Sequence, residues 1–399
     1  MNRLKSLSVF LWGFLVLSTT VHAREFVGDV NRPKNTKNRG SYRSDCTESR
    51  AETDLAINNV RARLRAGGDM WWDGVTTARY IVPKVDPASG EPEVSSLFAG
   101  AIWLGAYDDG GNLILAAQTY RSGGNDYWTG PLEPDLGTTD KIDCDRWDKH
   151  FTVFGDDITN LRADFLDPVN PGIQEPLSRG ILGWPGKGNP YFQQIHGFDI
   201  LEYDQDLAPF IDVDRDGIYD PRQGDHPVIK VIGCDPQDYN NTIFADQMTW
   251  WVYNDNGNLH TQSNGQSMQM EIQALAFGYR TTDAINNQTY YRYKLLNRNA
   301  LNLRDTYFSL WSDPDLGCAL DDYIGCDTVT GLGYVYNRDA EDDDPCGTGG
   351  SAGYGTDVPA LGVDYFKGPL DSAGNQIGLS SFQYHINSAS DPKGDPSAA

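Results

Sequence analysis

The chain has no HExxH pair, no glycine-rich phosphate loop and no CxxC, so the motif-borne routes to a zinc peptidase, a nucleotide hydrolase and a thiol-held zinc are absent. Beyond the first residues its histidines are His150, His196, His226, His260 and His385, none at metal-ligand spacing. Positive charge is scarce: 32 Lys and Arg face 56 Asp and Glu. The resulting formal charge of −24 argues against nucleic acid or an anionic membrane as partner and makes cations the better company. No apolar run approaches the about 20 residues that cross a bilayer. No period of about 20 to 50 residues stands out, which disfavours a propeller or solenoid.

What is present begins with a secretory leader. Residues 1–23 carry a basic start at Arg3 and Lys5, an apolar run from Leu7 to Leu17 and a small-residue exit ending at Ala23, the pattern of a cleavable signal peptide. The expected location is therefore secreted or outer cell surface, with no transmembrane segment after cleavage. In that setting the six cysteines, Cys46, Cys144, Cys234, Cys318, Cys326 and Cys346, form an even set that favours disulfides. Their pairing is not fixed by sequence; Cys318 with Cys326 is the nearest local choice, with pairing elsewhere as its alternative.

A polar lead-in follows over 24–53. Leu55, Ile57, Val60 and Leu64, capped by Thr53 or Asp54 and stopped by Gly67 and Gly68, predict one N-terminal helix. Thereafter the dominant period is two, that of strands. One hairpin is expected over Phe98–Tyr120 with its tip at Asp108 to Asn112, and another over Thr249–Gln262 turning at Asp255 to Gly257. Met268 to Ala274 and Tyr291 to Leu295 alternate as half-buried strands do, and Tyr307–Trp311 adds a short one. From Asp135 to Gln194, Pro, Gly and Asp interrupt every apolar run, leaving long loops with a little helix. The expected fold is mainly β, antiparallel sandwich-like layers with one N-terminal helix and long loops. It divides as 54–205, a helix plus hairpin domain; 206–230, a calcium-loop linker; 231–387, an antiparallel β domain; and 388–399, a tail.

The sharpest motif is DVDRDGIYD, Asp212 to Asp220, with carboxylates at loop positions 1, 3, 5 and 9 and glycine at position 6. A hard cation takes six to eight oxygens, and alternate residues point theirs inward. Asp212, Asp214, Asp216, the Ile218 carbonyl and Asp220 are the expected calcium ligands, with Asp225 or a neighbouring segment completing the shell. Gln223 in place of a bidentate Glu, and Pro221 where a helix would leave, exclude an EF-hand; the loop looks like the helix-free ones of thrombospondin type 3 repeats. An acidic surface turn is the competing reading.

Asp313, Asp315, Asp321, Asp322 and Asp327 form a second acidic area without that spacing, so a solvated turn is preferred over a second calcium site. The run from Asp339 to Asp344 reads as a solvated loop. Ten tryptophans invite a sugar-stacking platform at Trp71/Trp72 and Trp250/Trp251, but adjacent strand residues face opposite ways, so each pair is expected to give a ring to the core. The GxSxG string at 349–353 sits among glycines and aspartates, in a loop and not at a strand-to-helix elbow. Acidic pairs for glycoside hydrolysis are too many to choose among.

Several segments together resemble large secreted proteins of Bacteroidetes known as type IX secretion cargo: Asn58 to Ala62 with Gly67 to Trp72, the DVDRDGIYD loop, Trp311 to Gly317, Asp321 to Asp327, Leu332 to Asn337 and Gly362 to Phe366. That resemblance implies an outer-surface or released protein, of which this chain is an N-terminal fragment; it carries no settled activity onto these residues. The combined expectation is an extracellular, calcium-stabilised, noncatalytic surface or adhesin-like module that meets calcium and an extracellular glycan or surface protein. A glycan-binding module or glycoside hydrolase is the alternative.

Overall fold

Between Glu52 and Met70 the chain forms strands where a helix was expected. The computed structural model describes residues 44–86, 88–170, 172–201, 205–230, 243–299, 302–347, 351–371 and 373–385. In it Glu52–Leu55 pairs antiparallel with Arg61–Arg65. Leu55, Val60 and Leu64 satisfy a helical spacing, but Ala62 and Leu64 also alternate with Arg61, Arg63 and Arg65, and the hairpin buries the first pair while joining Arg63 to Glu52 and Asp54 across the register. Asn58 closes the turn, its side-chain oxygen accepting from the Val60 amide at 3.0 Å. The signal peptide, Cys234 and the 388–399 tail lie outside the described residues. The end of the lead-in is anchored: Cys46 is bridged to Cys144, and the amides of Arg50 and Ala51 donate to Asp148.

The remaining architecture is the expected one, mainly antiparallel β. An eight-stranded sheet runs Arg304–Asp313, Ala99–Tyr107, Asp69–Met70, Arg61–Arg65, Tyr80–Ile81 and Ser95–Leu97, with Glu52–Leu55 and Leu113–Ala117 attached at its sides. A five-stranded sheet runs Tyr290–Asn297, Met270–Gly278, Gln247–Asn254 and Trp128–Thr129, with Phe151–Phe154 also on Gln247–Asn254. Their facing sides form one core, where Trp251, Tyr253, Ile272 and Ala274 meet Leu55, Leu64, Ile102 and Leu104.

The five-stranded sheet is covered on its other side too. Met248, Trp250 and Val252 pack on a helical layer through Trp147, Ile158, Leu161, Ile181 and Phe192. This layer, with helices Lys141–Arg146, Gly155–Leu166, Arg179–Leu182 and Phe192–His196, occupies the stretch that reads as loops in sequence. The two-sided cover explains why Gln247–Asn254 is buried at every position and why Glu271 and Gln273, expected at a wet face, are buried. Glu271 is satisfied there by the Leu132 amide at 3.0 Å and Arg298 at 3.2 Å.

The Phe98–Tyr120 hairpin forms as expected, Ala99–Tyr107 returning through Leu113–Ala117. The second differs. Gln247–Asn254 pairs with Met270–Gly278, and the intervening loop folds back, held by Asp255 accepting from the amides of Met268 and Met270 at 2.6 and 2.7 Å. Strands from both sides of 206–230 share both large sheets: Gln247–Asn254 pairs with Phe151–Phe154, and Arg304–Asp313 with Ala99–Tyr107. A three-stranded sheet, Asp322–Asp327, Leu332–Asn337 and Ala360–Asp364, lies beyond them. Cys318 bridges to Cys346, correcting the local pairing with Cys326, which is free: the return of the chain after Leu332–Asn337 brings Cys346 back to Cys318.

Candidate functional site

The Asp212–Asp220 loop is held at its base by a short ladder, Phe210–Ile211 against His226–Pro227. Within it, Asp212, Asp214 and Asp216 bring carboxylate oxygens within 4.8 Å of one another. The backbone fits that convergence: Arg215 and Gly217 take positive φ of 63° and 81°, a conformation glycine adopts without steric cost. Asp212 accepts from the Gly217 amide at 2.8 Å and Asp216 from the Ile218 amide at 2.7 Å. Asp214 and Asp216 are exposed and Asp212 half-buried, so the group opens to solvent on one side.

The other expected ligands sit differently. Asp220 lies outside the converging three; its carboxylate accepts from the Arg222 amide at 2.9 Å and caps the 3-10 turn Pro221–Gln223. Ile218 shows a half-exposed side chain beside Gly188. Asp225 is fully buried and works as a brace, its two oxygens accepting from the Val213 and Asp220 amides at 2.8 and 2.9 Å. Burial pushes Asp225 up to about 7, against those two amides and with the repulsion of Asp212 and Asp214. Neutralising the loop's charge would relieve this strain on the brace.

A cleft of about 290 Å³ adjoins the loop, sharing Asp212 and Gly217 with it and lined also by Lys187, Phe210, Arg292 and Lys294. Its lining carboxylates are Asp206 and Asp212, the latter already part of the loop.

The second acidic area is the reading the structure changes most. Asp321 is 4 % exposed and Asp342 fully buried, with carboxylate oxygens within 4.8 Å of each other. Asp313 and Asp315 are largely covered, and Asp313 accepts from the Tyr120 hydroxyl. Only Asp327 behaves as the turn residue expected, accepting from the Val329 amide at 2.8 Å. Asp342, placed in sequence among a solvated run, accepts from the Cys318 amide at 2.9 Å and from the Tyr354 amide. The nearby Cys346 is the one sequence signal that this run returns to the fold.

The tryptophan pairs are core residues on both sides. Trp71 and Trp72 are 2 % and 3 % exposed, and Trp250 and Trp251 enter the two opposite cores. Among the described residues the half-buried tryptophans are Trp103 and Trp311, stacked at 5.8 Å on the outer face of the eight-stranded sheet. Ser351 of the GxSxG string donates to the Gly317 carbonyl at 3.3 Å. Among the described residues no helix is long and apolar enough to cross a membrane. No protein-family model, curated protein or solved structure matches the chain.

Proposed function

We propose that the chain is an extracellular, noncatalytic surface or adhesin-like module of a larger secreted protein, steadied by calcium at the Asp212–Asp220 loop. The observation that supports this reading is the convergence of Asp212, Asp214 and Asp216 in a glycine-turned loop whose base is pinned by a ladder and by Asp225. Alternating carboxylates repel one another, and a divalent cation turns that repulsion into coordination. Asp212, Asp214 and Asp216 would hold the ion. Asp220 and Asp225 would fix the loop around it. The ion's role is then stability and shape, with turnover assigned to no residue.

Thermal unfolding of the disulfide-intact chain in calcium and in chelator tests the reading. A calcium-dependent rise in midpoint that Asp214→Ala and Asp216→Ala reduce is the expected result. A rise those substitutions leave whole, or no rise, would reduce the loop to an acidic turn.

A sugar-binding reading stands second, on the stacked Trp103 and Trp311 and the exposed Tyr307 beside them on the same sheet face. Retention of the chain on a glycan array, lost with Trp311→Ala, is its test.

A further inference from the structure

Where the eight-stranded sheet ends at Asp313, the chain enters a carboxylate-lined junction with the three-stranded sheet. Three oxygens there have no hydrogen-bond partner: Asp321 Oδ1, Asp322 Oδ1 and Asn337 Oδ1. Asp321 and Asn337 are 4 % and 6 % exposed, so water does not readily serve them. Asp322 and Asn337 are register partners on adjacent strands, which puts their side chains on one face. The remaining oxygens are committed: Asp321 Oδ2 accepts from the Asp343 amide at 3.4 Å, Asp322 Oδ2 from the Leu316 amide at 2.9 Å, and both oxygens of Asp342 take backbone amides. Backbone donors thus hold one oxygen of Asp321, one of Asp322 and both of Asp342, and leave the second oxygens of Asp321 and Asp322 bare.

No Lys, Arg or His among the described residues forms an ion pair with Asp315, Asp321, Asp322 or Asp342. A covered group of like charges with bare oxygens is relieved either by protons or by a cation seated among them. Cys318 lies within the same 4.8 Å group, but its sulfur is spent in the bridge to Cys346, so no thiolate is offered and soft metals lose their preferred ligand. The donors that remain are all oxygens, the set a hard cation takes.

We infer that Asp321, Asp322 and Asp342, with Asn337 and Asp315 beside them, form a second, independent calcium site that clamps the three-stranded sheet to the sandwich. It differs in kind from the Asp212 loop: its ligands come from segments more than a strand apart, so the ion would cross-link the fold instead of shaping one turn. The Cys318–Cys346 bridge holds two of those segments together before any ion binds.

Calorimetric titration of calcium chloride into the chelator-stripped, oxidised full chain, at a pH above 7.5 and with magnesium chloride as control, tests this site separately from the loop. The Asp214→Ala/Asp216→Ala chain is expected to keep about one calcium per molecule. Adding Asp321→Asn/Asp322→Asn to it is expected to abolish that binding. The near-isosteric amides keep the size of the side chains, and a native far-ultraviolet spectrum with a retained cooperative transition in chelator establishes that loss of binding is not loss of fold. A loop variant that binds no calcium, or calcium binding that survives the amide substitutions, would overturn the inference; the first result would leave these acids relieved by protons alone.

Discussion

Two groups of buried aspartate in this chain have opposite electrostatics. Asp69, 1 % exposed, lies between Arg121 at 2.7 Å and Arg65 at 3.0 Å and accepts from the Trp72 indole at 2.9 Å. Burial works against its charge, but Arg121 and Arg65 outweigh it and hold its carboxyl below the usual range. Asp315 and Asp322 have no such neighbours and are pushed the other way. The contrast teaches that burial alone does not decide what a carboxylate does. Asp69 carries its counter-charges within the chain. The junction acids leave theirs to be supplied from outside.

The largest test removes the internal counter-charge. Arg121→Met leaves Asp69 buried with one cation fewer and should cost about 3 to 5 kcal/mol in denaturant unfolding, with or without calcium. The external counter-charge comes next: at calcium hundredfold above its dissociation constant, each occupied site should contribute about 2.7 kcal/mol, read as the midpoint lost on adding chelator. Asp322→Asn sharpens the comparison by reversing its sign. In chelator it should stabilise by about 1 kcal/mol, since it removes repulsion, while reducing the calcium response; the corresponding Asp69→Asn should destabilise.

Acid separates the two groups by window. Asp315 and Asp322 have folded values raised to about 7 from 3.8, so between those limits the calcium-free folded state binds more protons than the unfolded one. Their contribution to stability therefore grows as pH falls from about 7 toward 3.8. Asp69, whose value is lowered, contributes stability present above 3.8 and lost as pH falls through its folded value. Midpoints of the chelated chain across that range should show the junction's gain added to that of Asp225, and Asp315→Asn with Asp322→Asn should remove the junction's part and leave that of Asp225. The smallest effect is expected at Cys326→Ser, within about 0.5 kcal/mol because this thiol is free, whereas Cys346→Ser should cost about 3 kcal/mol by opening the loop to Cys318.

The sequence made some of this plain. The Ala99–Tyr107 hairpin was legible because a five-residue turn of Asp, Gly and Asn carries its own instructions. The loop from Asp212 was legible because alternate acids around a glycine bring their carboxylates together locally. Leu55 to Leu64 was not, since its spacing satisfies both periods and the choice was made by pairing with arginines across the hairpin. The helical layer escaped because its apolar residues are few per helix and are gathered only when they meet Trp250. The junction acids escaped for a deeper reason: charge spacing reports what a segment does alone, and Asp342 becomes buried only after the chain has doubled back to Cys318.

The pairing of Ala99–Tyr107 with Arg304–Asp313 also sets a timetable. During synthesis the early strand emerges long before its neighbour exists, and Gln247–Asn254 likewise completes a sheet begun by Phe151–Phe154. Until the late strands arrive, the nascent half presents open backbone edges and uncovered apolar faces, the surfaces on which chains stick to one another. Cooperative assembly must therefore wait for nearly the whole described chain, and a ribosome-stalled product ending near residue 230 should remain sensitive to protease at sites the finished molecule hides.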